Sequence, residues 1–157
     1  MHWADFTAQR LMERGSEQVS ASGITPSGEF HIGHLREILS AEMIHRACVD
    51  AGMRSIYIFI VDSMDPLRRV YDFLSPEYEE FIGCPLAFIP APEADGSPGD
   101  GGVTYAEYFL SPFLDALEQI GVRPEVVMNH ETYEKGLFAE YIDSAITNRD
   151  EIRAVSY

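Results

Sequence analysis

The run Ser55-Ile56-Tyr57-Ile58-Phe59-Ile60-Val61-Asp62 is nearly continuous in apolar, β-branched and aromatic side chains and ends on a carboxylate. No polar residue recurs at the spacing a half-solvated strand or helix needs, so the run reads as a strand buried on both faces in a parallel sheet. Parallel strands need crossovers, and the flanking sequence supplies helices at the right places. Gly33 to Ala51 has helical spacing, with Leu35, Ile38, Leu39, Met43 and Ala47 on one face. Glu37, Glu42, Arg46 and Asp50 then suit the solvent side, and Gly52 ends the helix. Tyr105 to Ile120 is a second such helix, closed by Gly121 and followed by a strand over Glu125 to Asn129. Gln18 to Ser22 is a further short strand. Trp3 to Arg14 reads as a helix with Trp3, Phe6, Leu11 and some alanines on one side, and Leu137 to Ala154 as a final amphipathic helix. Strands separated by helices predict an α/β fold, a parallel sheet flanked by helices with right-handed crossovers. Between the second strand and the helix from Tyr105 lie a short helical stretch around Leu67 to Tyr71 and turn signals at Pro76 and Pro85. The segment Pro90 to Gly102, rich in proline, glycine and acid, reads as a flexible loop inside the domain.

The segment joining the first strand to the first long helix reads GITPSGEFHIGHLRE, Gly23 to Glu37. It occupies the carboxyl end of a parallel strand, where open α/β sheets bind ligands. Unpaired backbone N–H groups at the helix start favour anions. His31 and His34, three residues apart, add imidazole N–H donors on the same side. Gly33 lacks a side chain where a bulky ligand would approach the backbone. This combination suits a polyphosphate. The same residues also admit plainer readings: a two-histidine metal site lacking a clear third ligand, ordinary cap or surface histidines, and turn glycines.

Composition limits the partners. The chain has 157 residues, 46% of them hydrophobic, enough for one domain with one core. Cys48 and Cys84 form no metal-type pair and are expected to be reduced and buried. No apolar run reaches the roughly 20 residues of a membrane span and no signal peptide opens the chain, so a soluble, cytoplasmic protein is expected. Net charge is −15, with 26 acidic residues against 11 basic ones, and Lys135 is the single lysine. Such a surface opposes unaided nucleic-acid binding, and adaptation to salt or solubility accounts for it.

HIGH after a strand and a proline-containing loop resembles the signature of class I aminoacyl-tRNA synthetases. The longer GITPSGEFHIGHLRE closely resembles the class I, archaeal-type lysyl-tRNA synthetases, and so do HWAD (His2 to Asp5), DSMDPLRRV (Asp62 to Val70), TYAEYFLSPFL (Thr104 to Leu114) and ETYEKG with NRDEIR (Glu131 to Arg153). The resemblance spans the chain in order. It implies a Rossmann-like catalytic domain of the HIGH superfamily, with residues 1–157 forming part of it and no anticodon-binding domain among them. It also implies ATP as substrate, Mg2+ beside it, and lysine or lysyl-adenylate in the same cleft. By resemblance, His31 and His34 contact the ATP phosphates and act in catalysis, Gly33 gives room for adenine, and Thr25 and Pro26 belong to the nucleotide loop. Gly23, Thr25 and Asp62 would touch the amino acid.

Three departures temper what the resemblance implies. Ser63 stands where the family commonly has the second of two adjacent acids, which leaves Asp62 as a cleft residue or simply a helix cap. Asp65 is a weaker candidate, and Arg68 and Arg69 read as solvated or ion-paired more readily than as phosphate ligands. No KMSKS-like segment occurs in the chain, and its cations act chiefly in the transition state, so weak activity and weak tRNA binding are expected. The glycine-rich stretch Asp95 to Val103 replaces a loop that often contains Cys and His. Two other readings stay open: a non-catalytic paralogue that binds a nucleotide or a partner, and a small HxGH nucleotidyltransferase. Those nucleotidyltransferases open on a strand, whereas this chain puts a helix first. A homo-oligomer or a missing C-terminal half completes the set of expectations.

Overall fold

A computed structural model describes residues 1–155. Helix α1 (Trp3–Met12) is followed by β1 (Glu17–Ile24), α2 (Ile32–Asp50) and β2 (Arg54–Val61). Two 3-10 turns, Pro76–Phe81 and Leu86–Phe88, precede α3 (Tyr105–Gln119) and β3 (Glu125–Met128). Three further helices follow, α4 (Asn129–Glu134), α5 (Ala139–Thr147) and α6 (Arg149–Val155). The strands form one parallel sheet in the order β1-β2-β3, with Ser22 opposite Phe59 and Ile60 opposite Val127. This is the expected class, a parallel sheet flanked by helices.

The core lies between one sheet face and the helices α2 and α3. Tyr57, Phe59 and Val61 of β2 pack there with Ile38 of α2 and Leu110, Phe113 and Leu117 of α3. The opposite face of β2 is not sealed: Ile56 and Ile60 remain 40% and 39% exposed. The strand therefore alternates instead of being buried on both faces, because α2 and α3 pack on the same side. A second cluster joins Leu67, Leu74, Tyr78, Leu86 and Ile89 to the first turns of α3, and a third joins α1 to the end of α2.

Several local expectations need correction. On α1 the buried face is Ala4 and Ala8, while Trp3 and Phe6 are exposed, because only small residues let α1 lie close against Ala47 and Cys48. On α2 Glu42 is buried and Met43 exposed. The Glu42 carboxylate accepts a 2.6 Å hydrogen bond from Arg46 Nε, and Arg46 Nη2 donates to the Gly121 carbonyl at 2.7 Å. A partnered acid thus sits where a solvated one was expected. Leu67 to Tyr71 is not helical; Leu67 instead exchanges backbone hydrogen bonds with Gly83 and Cys84. The Pro90 to Gly102 segment is hydrogen-bonded along its length, by Ala91 with Val103 and Glu93 with Ser97. Gly96 (φ +84°) ties it down, since an added Cβ would lie 2.6 Å from the Phe73 carbonyl. The final helix is broken at Asn148, and both pieces are exposed. Cys48 and Cys84 are free thiols, the first buried, the second partly so.

Candidate functional site

The carboxyl ends of the three strands and the start of α2 meet at one rim. His31 is the N-cap of α2, and its Nδ1 accepts the Gly33 backbone N–H at 3.0 Å. His34, three residues on, accepts the His31 backbone N–H on its own Nδ1, also at 3.0 Å. The two histidines form a reciprocal capping box, a role usually taken by Ser or Thr with Glu or Gln. Their rings lie 4.0 Å apart, centroid to centroid, tilted by 38°.

This geometry fixes the tautomers. A ring nitrogen that accepts a backbone N–H is bare, so in the neutral imidazole the proton sits on Nε2. Both rings therefore present Nε2–H as their remaining donor. His34 is held below its ordinary pKa, first by burial and then by the neighbouring His31, with Glu37 opposing. A second proton on the His34 Nδ1 would face the His31 backbone N–H. Gly33 serves the cap directly: a Cβ there would lie 2.8 Å from His31 Cε1 and 2.9 Å from Nδ1. The His31 ring lies over Gly33.

The loop before the cap is tied from three sides. Thr25 donates its hydroxyl to Asp65 Oδ2 at 2.8 Å, and Arg68 donates to the same oxygen at 3.1 Å. Pro26 is fully buried, so its ring shapes the loop from beneath and faces away from solvent. Tyr105, fully buried at the start of α3, donates to the Ser27 carbonyl at 2.8 Å. Gly23, on β1, donates its N–H to Glu37 Oε1 at 3.2 Å. Arg69 lies over the Tyr71 ring at 5.1 Å and makes no ion pair among the described residues.

At the ends of β2 and β3 a second pair of contacts forms. Asp62 Oδ1 accepts from Asn129 Nδ2 at 2.9 Å. Ser63, fully buried, accepts the His130 backbone N–H at 3.1 Å, and its hydroxyl shares a further hydrogen bond with His130 Nδ1 at 2.8 Å. Thr25 and Asp62 thus stand at the carboxyl ends of the paired strands β1 and β2, the two histidines open α2, and Asp65 is occupied by Thr25 and Arg68. Sequence reasoning passed over Asn129, His130 and Tyr105. The first two directly follow a strand, and the carboxyl-end rule could have flagged them. Nothing in the sequence distinguishes the loop-pinning Tyr105 from its aromatic neighbours. Among the described residues no group of three or more His, Cys, Asp or Glu is placed to hold a metal ion, and no helix is long and apolar enough to cross a membrane.

The site's geometry alone does not name a family, and comparison with known proteins narrows the choice. The family model described as tRNA synthetases class I (K) matches residues 1–156. The chain belongs to that family. Among its relatives, the lysine–tRNA ligase 1 of Methanosarcina acetivorans is 42% identical over 155 residues. The lysine–tRNA ligases of Archaeoglobus fulgidus and Methanocaldococcus jannaschii are 43% and 42% identical over 155 and 157 residues. Each alignment covers 99% of this chain and 28–30% of the relative, so the chain spans less than a third of the length of these proteins.

Proposed function

We propose that this chain forms the HIGH-bearing part of a lysine–tRNA ligase catalytic domain and holds ATP at the start of α2. The supporting observation is the capping box: both imidazoles accept a backbone N–H on Nδ1, which leaves Nε2–H as their remaining donor at the start of α2. Those donors suit phosphate oxygens, and magnesium would arrive with the nucleotide as MgATP. Thr25 and Pro26 shape the nucleotide loop. Gly23, Thr25 and Asp62 lie toward the amino acid, lysine or its adenylate. The reaction supported by this reading is attack of the lysine carboxylate on the α-phosphate with loss of pyrophosphate. No KMSKS-like segment stands among these residues to bring cations to the leaving phosphates, Lys135 is paired with Glu131 at 2.7 Å, and Arg68 is paired with Asp65. Binding is therefore expected to exceed turnover for this chain alone, with slow pyrophosphate release and weak tRNA binding.

Melting with and without ATP, and with a lysyl-adenylate analogue, tests the proposal. Alanine at both histidines would also remove the helix cap. The informative variant is His31→Asn/His34→Gln, whose side chains keep the acceptors of a capping box but lose Nε2–H. The native chain should melt higher with millimolar ATP and the variant should not. An equal shift in both proteins, or none in either, refutes the assignment.

A further inference from the structure

A cleft of about 830 Å³ lies beside the proposed nucleotide rim, between α3 and the Pro92–Ala94 segment. Its walls are aromatic. Phe30 stacks on Phe113 at 4.3 Å, and Phe73 meets Phe109 edge-on at 5.6 Å. Phe73 and Tyr108 are 47% and 46% exposed, a large apolar area to leave facing water. The wall is preformed: Gly96 is locked against Phe73, and the Ser75 N–H donates to the Gly96 carbonyl at 2.8 Å.

The charge in this cleft is of one sign. Glu29 and Glu93 line it, and no Lys, Arg or His does. Among the described residues neither carboxylate is engaged in an ion pair or a side-chain hydrogen bond. Aromatic faces carry negative potential and attract cations, most strongly where water is excluded. Two unpaired carboxylates beside exposed rings add to that potential, and the −15 net charge adds a further attraction at long range. The same features repel a polyphosphate, so this cleft is unsuited to the charged end of ATP.

We propose that the cleft is a second binding site, for a small organic cation: an ammonium carried on an apolar or aromatic body. The ammonium lies between Glu29 and Glu93, and the apolar body rests against Phe73 and Tyr108. This site is independent of the nucleotide reading, although Phe30 borders both, its ring lying 5.0 Å from that of His34.

Calorimetric titration of the intact chain with benzyltrimethylammonium tests it, beside neutral benzyl alcohol and anionic phenylacetate. The cation should bind with a Kd of about 1 mM or tighter, and the neutral and anionic probes more weakly in that order. Glu29→Gln/Glu93→Gln should weaken the cation at least about fivefold and remove its preference over benzyl alcohol. Phe73→Ala should weaken it about threefold or more. Glu29, Glu93 and Phe73 are exposed, and unchanged melting of each variant checks that folding is intact. Absence of cation binding, equal affinity for the neutral probe, or indifference to the charge variant would overturn the proposal. Loss of cation binding in His31→Asn/His34→Gln would also overturn it, because the cation would then belong to the nucleotide rim.

Discussion

Gly33→Ala is the substitution that separates the two ways this glycine could matter. A methyl group at Gly33 would sit 2.8 Å from His31 Cε1 and 2.9 Å from Nδ1, too close for any real contact. The imidazole is the movable partner, so it swings out and gives up the bond from the Gly33 N–H. A lost N-cap costs about 1 kcal/mol. Alanine regains up to about 1 kcal/mol over glycine in a helix, less in the first turn. The two terms nearly cancel, so the melting temperature should move by no more than about 4 °C for a chain of this size. The proposed phosphate contact has no such compensation. Losing a hydrogen bond to a charged group costs about 1.5–3 kcal/mol, which weakens ATP by roughly 10- to 100-fold.

A double-mutant cycle then identifies the cause. In a His31→Asn background the ring is absent, so the alanine methyl has nothing to displace. If Gly33 acts by seating the ring, Gly33→Ala should change ATP affinity less than about twofold there. Calorimetry on the four proteins gives the cycle. The reasoning is refuted if Gly33→Ala weakens ATP equally in both backgrounds, because the methyl would then obstruct the nucleotide itself. An unchanged His31 ring signal by NMR in the single variant would refute it too.

The fold makes further expectations. His34 is held below its ordinary pKa by burial and by His31, so the unfolded chain binds more protons than the folded one from the lowered value up to about 6.5. Stability should therefore rise with pH through that window and be lost as pH falls through it; urea melts across pH should show a flatter slope for His34→Gln, and an unchanged slope would contradict the assignment. Arg46→Ala strands the buried Glu42 carboxylate and cuts the link to Gly121, and should cost about 1–3 kcal/mol by urea denaturation, discounted because Arg46 itself is over half exposed. A cost below about 0.5 kcal/mol would mean that water takes over the pairing. Ser63→Ala leaves both His130 Nδ1 and its backbone N–H without their protein partner, and should cost about 1–2 kcal/mol while raising amide exchange at the β2–β3 ends. No change in exchange there would show that the contact does not join the strands.

The sheet and its flanking helices were legible because their signals are periodic. The Ile56 to Val61 run, the spacing of Leu35 and Ile38, and the glycines closing two helices each reflect local rules, and the element order followed. What was not legible depends on which element lies opposite. Glu42 has the spacing of a solvated residue and is buried because Arg46, itself held by the Gly121 carbonyl, pairs with it there. Ile56 and Ile60 have the composition of a doubly buried strand, but α2 and α3 both pack on the other side. Trp3 and Phe6 are outward because Ala4 and Ala8 allow the closer approach to α2. The rim shows the same division. HIGH and its position after a strand were visible, but the Ser63–His130 pair joins residues 67 positions apart and has no local signal.

The two histidines also show why a short signature can be read so far ahead of its structure. Their spacing of three is the spacing of a capping box, so the residues that start α2 are the residues proposed to meet the phosphates. Each bare Nδ1 is consumed in folding, and that same bond determines which nitrogen is left to donate. A serine or aspartate would cap the helix as well but would leave no outward N–H. Asparagine would cap and offer an amide, but on a shorter side chain that cannot keep a donor on the far side of a ring. Imidazole alone among the side chains accepts on one side and donates on the other across a rigid frame, so substitutions that preserve stability at positions 31 and 34 should still separate folding from nucleotide binding.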